Sequence, residues 1–183
     1  MKDISSHILD IVQNSISANA NNIRIDLDKD IINNTLKLKI KDNGNGMSKE
    51  FLAKVSDPYS TTRTTRKVGM GLALLKQHAE RTNGNFKINS EINSGTEVIA
   101  KFEYDNIDRQ PIGDIVGTLI LLVAGNPKLE FEYNHIYNHF KYTFNTKEIK
   151  DALGDMEISN PLIRKYLKEM IIENINEIEN KSK

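Results

Sequence analysis

Apolar residues recur over residues 4–20 at the spacing of one helix face. This spacing predicts an amphipathic helix with a polar opposite side. Residues 23–28 and 36–41 instead alternate apolar and polar side chains, which predicts two strands that each have one wet face. The Asn33-Asn34 pair between them suits a tight turn. The helix stripe consists of Ile4, Ile8, Ile11, Val12 and Ile16.

Further elements of the same kind follow through the first hundred residues. Residues 48–56 predict a short helix capped by Ser48, and residues 71–82 predict a longer one. Residues 85–91 and 96–104 predict two more strands. Strands paired antiparallel with helices on one face form a two-layer α/β sandwich, so we expect the α+β class.

The second half is predicted to form a small C-terminal α/β unit, residues 105–183, beside a first unit at 1–104. Residues 105–115 are typical of a linker. No catalytic constellation is apparent here: we expect His135 and His139 to be scattered surface histidines, and the Glu-, Asn- and Lys-rich end to be a solvated tail. The predicted elements are a buried helix at 112–124, a hairpin from 129–133 and 139–144, a helix from a capping Thr146 to Leu153, and a helix from Asn160-Pro161 to about 179.

Composition narrows the function classes. Lysine plus arginine equal aspartate plus glutamate at 25 each in 183 residues, which argues against a general nucleic-acid or membrane-surface binder. The absence of cysteine excludes disulfides and thiolate chemistry. No apolar run reaches the roughly 18–20 residues of a membrane span, and the first residues lack a signal-peptide core. We therefore expect a cytoplasmic protein.

Residues 57–72 carry the groups that a polyphosphate requires. Serine and threonine hydroxyls, arginine and lysine side chains and the Gly69-x-Gly71 pair lead directly into a predicted helix. Glycines allow close backbone approach, and the helix start offers unpaired N–H groups with the positive end of its dipole. Glycine pairs before helices are common, so this stretch alone is weak evidence for phosphate binding. The two stretches described next strengthen that hypothesis.

The first predicted helix places Asp10 and Asn14 together, because they are four residues apart. The simpler interpretation is that these two residues belong to a solvated polar face of the helix. The functional one is that a short carboxylate beside an amide oxygen positions a water and a divalent cation. Magnesium held mainly by phosphates needs only one or two protein ligands.

The second predicted strand ends in a cluster of Asp, Asn and Gly, from Asp42 to Gly46. Such a cluster is most often a tight turn. It also matches the start of a calcium loop, but Lys54 stands where the final glutamate belongs. A third interpretation is a carboxylate that accepts a hydrogen bond from an exocyclic amine, with glycines that let a base lie against the backbone.

Together these stretches resemble, in order and spacing, the GHKL superfamily of ATP-binding proteins over residues of about 4–104. Asp10 to Asn14 is similar to the N box, and Asp42-Asn-Gly44-Asn-Gly46 to the D-x-G-x-G box. Thr61-Thr62-Arg63 resembles the lid, Gly69 to Leu72 the second glycine box, and Gly95-Thr96 the final Gly-Thr. The resemblance implies a Bergerat-type ATP-binding fold that takes ATP or ADP with Mg²⁺.

It also implies roles for single residues. Asp10 would be the catalytic residue, and Asn14 would bind magnesium. Asp42 would accept a hydrogen bond from the adenine amine, and Thr96 would help to hold the Asp42 carboxylate. The implied nucleotide-binding residues are Asn14, Asp42, Gly44, Gly46, Met47, Thr61, Thr62, Arg63, Lys67, Val68, Gly69, Met70, Gly71, Leu72 and Thr96.

The sequence departs from the family pattern at two positions. Hydrolytic members carry glutamate where Asp10 stands, so turnover should be slow. Ser17 stands where many histidine kinases have a basic residue. Because no phosphoacceptor helix pair precedes the N box, we expect any accepting histidine to come from a separate chain. Within the superfamily, the sequence is most similar to the histidine-kinase and anti-sigma-factor branch.

Three functions remain open. The first is a phosphotransferase that modifies an unidentified protein partner. The second is a nucleotide-dependent binding module in which ATP or ADP changes the grip on a partner or on a second copy of the chain. The third is slow ATP hydrolysis coupled to the opening of a homodimer. A folded α+β domain without a nucleotide is the remaining alternative.

Overall fold

The computed structural model describes residues 1–55 and 71–181. Its elements follow the predicted order closely, and their bounds differ from the predicted ones by a few residues. They are α1 Ile4–Ser17, β1 Asn22–Asp30, β2 Thr35–Asp42, α2 Lys49–Val55, α3 Gly71–Arg81, β3 Asn85–Glu91, β4 Gly95–Glu103, α4 Ile115–Gly125, β5 Glu130–Tyr137, β6 Phe140–Asn145, α5 Thr146–Leu153 and α6 Pro161–Asn180.

All six strands form one sheet in the order β3-β4-β2-β1-β5-β6. Neighbouring strands run antiparallel except β1 and β5, which are parallel. At the sheet centre Ile25 lies opposite Ile40 of β2 and Tyr133 of β5. The C-terminal strands therefore continue the sheet of the N-terminal half.

One face of the sheet is buried under the helices. Inward-pointing Ile25, Leu38 and Ala100 are each at most 1% exposed, and they share one apolar core with α1, α3, α4 and α6. The alternate positions of β1 and β2 carry charges, such as Asp28 opposite Lys37. The predicted two-layer α+β sandwich is confirmed, because period-two alternation exposes one face of each strand and buries the other.

The segment between β4 and α4 contains neither helix nor strand, yet it is held against the first helix. The backbone amides of Ile4 and Ser5 donate to the carbonyls of Pro111 and Ile112, at 3.0 and 2.9 Å. First-turn amides of a helix have no partner within the helix, so these carbonyls act as a cap. We call residues 109–113 the strap.

Two sequence expectations for the C-terminal residues, the exposure of His135 and the cap of α5, are wrong. His135 is buried, with 4% exposure, because its position on β5 faces the helix layer; His139 is exposed as expected. Helix α6 ends at Asn180, close to its predicted end at about residue 179, and Glu179 in its last turn bonds to Lys29. The cap of α5 lies one residue earlier than predicted, at Asn145, whose side chain accepts from Lys147 N–H.

Among the residues that the structure describes, the helices are too short or too polar to cross a lipid bilayer.

Candidate functional site

A cleft of about 540 Å³ opens between the polar side of α1 and the end of β2. This volume lies within the usual range for small-molecule sites, roughly 300–1,000 Å³. Its walls combine apolar side chains with a few polar groups that converge from separate elements. The residues that line it include Asn14, Ser15, Asp42, Gly46, Met47, Phe51, Leu72 and Thr96.

Asp42 forms the polar wall of the cleft and is 7% exposed. Its Oδ1 accepts from the backbone N–H of Gly44 at 2.9 Å and of Thr96 at 3.1 Å. Its Oδ2 accepts from the Ser15 hydroxyl at 2.6 Å. A carboxylate oxygen can accept more than one hydrogen bond, so Oδ2 can also receive a donor from a ligand in the cleft.

The loop after Asp42 is fixed by its neighbours. Asn45 N–H donates to the Ala18 carbonyl at 2.8 Å, and Met47 N–H donates to the Ser90 hydroxyl at 2.9 Å. Gly95 follows the opposing turn with φ of +84°, and a Cβ there would lie 2.0 Å from the Asp42 carbonyl oxygen. Only glycine fits this close approach, which brings β4 against the carboxylate.

Asn14 lines the cleft, and Asp10 lies one helical turn before it on α1, next to the cleft lining rather than in it. Asp10 Oδ2 and Asn14 Nδ2 are buried atoms with no hydrogen-bond partner among the described residues. Burial raises the pKa of the Asp10 carboxyl above its usual range. Gly71, the first residue of α3, faces this carboxylate so closely that a Cβ there would lie 1.8 Å from Oδ2.

Buried polar atoms without partners are rare in folded proteins and mark places where a ligand, an ion or water supplies the missing contact. The described residues contain no cluster of three or more His, Cys, Asp or Glu side chains suited to hold a metal unaided. The partnerless Asn14 Nδ2 can only donate, so it suits an acceptor such as a phosphate oxygen. The Asn14 amide oxygen and the Asp10 carboxylate are ligands that magnesium accepts when phosphates supply the rest. The donor set therefore fits a cation that arrives with a polyphosphate.

The structure brings most of the described candidate residues to one cleft. Those that line it are Asn14, Asp42, Gly46, Met47, Leu72 and Thr96, while Gly44 packs behind the loop against Ala18 and Gly71 packs against Asp10. The candidates Thr61, Thr62, Arg63, Lys67, Val68, Gly69 and Met70 lie outside the described residues.

Sequence reasoning left several cleft residues out of the predicted site, and two of them matter for its chemistry. Ser15 bonds directly to Asp42, and Phe51 of α2 contributes an aromatic wall. Ser15 follows Asn14 on the helix, so its position beside the N box was a usable signal. Phe51 carried none, because the placement of α2 over the cleft depends on tertiary packing.

Comparison with known proteins agrees with this geometry. The two-layer sandwich with a polar cleft between its first helix and a strand end defines the class as a GHKL-type fold. The family model for histidine kinase-, DNA gyrase B-, and HSP90-like ATPases matches residues 2–106, and the chain belongs to this family. The predicted membership of the superfamily is confirmed.

Curated relatives match shorter stretches of the chain. Sensor histidine kinase YvrG of Bacillus subtilis (strain 168) is 30% identical over 97 residues, which are 51% of this chain and 17% of that protein. A probable C4-dicarboxylate sensor kinase of Halalkalibacterium halodurans is 36% identical over 64 residues, 35% of this chain and 12% of that protein. The chain thus spans less than a fifth of the length of these relatives.

The fold is also similar to that of a solved structure. The MutL ATPase domain of Aquifex aeolicus, determined as a complex with ADP, aligns with a TM-score of 0.57 at 14% identity. The alignment covers 84% of this chain and 69% of that domain, so it extends beyond the residues matched by the family model. At this identity the likeness concerns the fold.

Proposed function

We propose that the chain binds ATP with Mg²⁺ in this cleft and transfers the γ-phosphoryl group to a protein partner. The observation that carries the proposal is the Asp42 carboxylate, with one oxygen locked by two backbone amides and the other turned toward Ser15 and the cleft. An ionised carboxylate can only accept, so Asp42 selects an amine donor, such as the exocyclic amine of adenine, over a carbonyl. Met47, Phe51 and Leu72 provide apolar contacts for a base.

The phosphate end of the site is assigned to Asp10, Asn14 and the start of α3. The helix start at Gly71 offers backbone N–H groups and a positive dipole end to the phosphates. Asn14 would hold the cation, which when bound neutralises charge on the phosphate oxygens, and Asp10 would face the attacking group. The glycine-rich candidates before Gly71 would complete this end; they remain predictions from the sequence.

Asp10 has the chemistry of a general base. A hydroxyl or imidazole of the partner attacks the γ-phosphorus, the bond from phosphorus to the β,γ-bridging oxygen breaks, and ADP leaves. Asp10 takes the proton from the attacking group. A raised pKa makes its carboxylate a stronger base, but it is one methylene shorter than glutamate, so the transfer should be slow.

A second candidate is a nucleotide-dependent binding module with little or no catalysis. The strap favours it, because it ties the C-terminal residues to the helix that carries Asp10 and Asn14. A ligand that moves α1 would therefore also move the strap. Partner affinity that differs among the ATP, ADP and nucleotide-free forms, without labelling of the partner, would favour this module over the transferase.

Calorimetry with the purified chain tests the site. The wild type should bind ADP and ATP, and Mg²⁺ should strengthen the binding of ATP. Asp42→Asn keeps an oxygen for the two amides but weakens the acceptor for the base. Affinity should fall by about 30-fold, because a hydrogen bond to a charged group contributes about 1.5–3 kcal/mol.

Asp28→Asn on the outer face of β1 is the matched control, and it should leave affinity unchanged. Undiminished binding by Asp42→Asn would place the base elsewhere. The transfer step needs ATP labelled at the γ-phosphate and candidate protein partners. Label should reach the partner with the wild type and not with Asn14→Ala; labelling that survives this change contradicts the proposed role of Asn14.

A further inference from the structure

The first helix carries a buried histidine for which the proposed function has no use. His7 is 0% exposed, and its Nε2 lies 2.9 Å from Gln110 Oε1 in the strap. The amide nitrogen of Gln110 donates to the Met1 carbonyl at 3.0 Å. A carbonyl can only accept, so this contact fixes the orientation of the Gln110 amide and turns its oxygen toward the ring.

The orientation of the amide determines the tautomer of His7. An amide oxygen can only accept, so Nε2 must carry the hydrogen in the neutral ring. Nδ1 then has a lone pair, and it has no hydrogen-bond partner among the described residues. The Gly71 main chain lies near the ring without reaching hydrogen-bond geometry. His7 is therefore a neutral side chain whose single N–H depends on Gln110.

His7 also contacts α3. Its ring meets that of His78 edge-on, with centroids 5.4 Å apart and planes at 67°. One turn further along α1, Asp10 faces Gly71, where no Cβ would fit. The two helices thus meet at a ring contact and at the close approach of a carboxylate to a glycine, and the strap holds the His7 ring from the other side.

We propose that Gln110 acts through His7 as a positioning pair that holds Asp10 against the first residue of α3. This inference rests on the proposed function, because it assigns the pair to the phosphate end of that site. Without the Gln110 oxygen, the buried N–H of His7 would lack an acceptor, and such a loss destabilises the arrangement that depends on it. The ring or the first two turns of α1 would shift, and Asp10 would shift with them.

The end of the cleft that would contact the adenine base should not respond to a change at Gln110. Asp42 is held by Gly44, Thr96 and Ser15, and the loop behind it is tied to Ala18 at the far end of α1. These contacts do not involve the strap. The pair is therefore expected to affect events at the γ-phosphate and to leave ADP affinity nearly unchanged.

The experiment compares the wild type with Gln110→Leu, which keeps the bulk and removes the acceptor. The rate of γ-phosphate loss from ATP should fall by about tenfold or more, since misplacement of a catalytic group by 1 Å can cost about 100-fold. ADP affinity should stay within about twofold. Gln110→Glu retains an acceptor for Nε2–H but loses the donor to the Met1 carbonyl, so it should recover part of the rate.

Thr143→Val is the matched control, because it removes a hydroxyl that donates to the buried Asn134 oxygen on the far strands. It should leave the rate unchanged. If Gln110→Leu does not fold, Gln110→Asn replaces it in the experiment. The shorter side chain of asparagine withdraws the acceptor oxygen from His7 by one methylene. A rate in the folded Gln110 variant equal to that of the wild type overturns the proposal.

Nuclear magnetic resonance provides a readout that needs no nucleotide. The His7 ring should show hydrogen on Nε2 in the wild type. In Gln110→Leu, but not in Thr143→Val, the chemical shifts of the His7 ring nitrogens and of the Asp10 and Gly71 backbone amides should change. Unchanged shifts at Asp10 and Gly71 contradict the pair. Failure of the wild type to bind ATP or ADP contradicts only the proposed function.

Discussion

Asp42 uses its two carboxylate oxygens for different tasks. Oδ1 organises the loop and β4 through two backbone amides, whereas Oδ2 lies with Ser15 at the cleft wall. Truncation to alanine would therefore disturb the fold and the site together. The asparagine variant separates them, because it keeps one oxygen for the amides and changes mainly the group that a base would meet.

Asp10 should show a conflict between stability and function. Burial raises its pKa in the folded protein above the ordinary value of 3.8, so folding favours the protonated form. The stability that Asp10 contributes is complete below pH 3.8 and is lost as the pH rises through its folded-state pKa. Asp10→Asn should therefore raise the melting temperature at pH 7, on the order of 2 °C, and reduce phosphoryl transfer by about 100-fold.

Thermal unfolding scans of both proteins between pH 3.5 and 8 check this prediction. The two melting curves should converge in acid and separate as the pH rises. Asp155→Asn, at an exposed position after α5, is the control and should follow the wild type throughout. A stability difference that is constant with pH would show that the titration of Asp10 is not its source.

Among single residues, the sequence predicted those that belong to a short motif with a fixed order and spacing. Asp42, Asn14 and Thr96 could be located because their spacing matches a family pattern. His7 and Gln110 are more than 100 residues apart, and their contact depends on how the strap crosses α1. No periodicity or local motif carries that information.

Helix α6 is fastened to the sheet by a buried polar chain at its C-terminal end. The Tyr133 hydroxyl bonds to His135 Nδ1 at 2.7 Å, and His135 Nε2 bonds to Glu179 Oε1 at 2.9 Å. Lys29 of β1 donates to the same carboxylate oxygen at 2.5 Å. These hydrogen-bonded side chains belong to β1, β5 and α6, so they hold the helix layer to the sheet.

The contribution of these hydrogen bonds to the stability of the fold should decrease in acid. Burial, followed by the charge of Lys29, lowers the pKa of His135, so the unfolded chain binds the proton more readily and stability falls as the pH drops below about 6.5. Burial alone would raise the pKa of Glu179, but Lys29 and His135 outweigh it and lower the pKa. The Glu179 contribution is present above its unfolded pKa near 4.5 and is lost as the pH falls through its folded-state pKa.

Urea unfolding at pH 5, 6 and 7 tests the fastening. The wild type should gain stability across this range, and His135→Gln should lose a part of that gain, at most about 1.4 kcal/mol per pH unit for one proton. His7 and His78 keep a slope of the same sign, since burial lowers their pKa values too. His139→Gln, at an exposed position, is the control. Equal slopes for His135→Gln and the wild type would show that His135 does not contribute.

The elements themselves were largely predictable, because local chemistry sets them. Period-two alternation marked β1, β2 and β4, and Asn160-Pro161 marked the start of α6, where the Asn160 side chain accepts from Leu162 N–H. The pairing of β5 with β1 was not predictable, since the alternation of polar and apolar residues gives no sign of which neighbour a strand will join. The burial of His135 was missed because the predicted strand ended at residue 133, whereas β5 continues to Tyr137 and His135 faces the helix layer.

On the scale of the whole molecule, the predicted boundary between residues 104 and 105 can be tested directly. A fragment of residues 1–104 would lose the β5 partner of β1 and the strap carbonyls that cap α1. We therefore expect it to lack cooperative unfolding in urea and to bind ADP at least tenfold more weakly, as measured by circular dichroism and calorimetry.

A longer fragment of residues 1–145 is the comparison, because it restores both the strap and the β5–β6 hairpin. It should recover part of the cooperativity. A 1–104 fragment that unfolds cooperatively at the same urea concentration as the full chain would establish the first unit as an independent domain.

The parallel pairing of β1 with β5 also has a consequence for biosynthesis. Asn22 pairs with Glu130, more than 100 positions later, so a ribosome that adds about 5–20 residues per second needs roughly 5–20 seconds to deliver the missing strand. Throughout that interval the nascent β1 presents an unpaired edge that can template wrong pairings. Closure of so distant a contact is intrinsically slow, and chaperone demand during translation should be greatest just before β5 emerges.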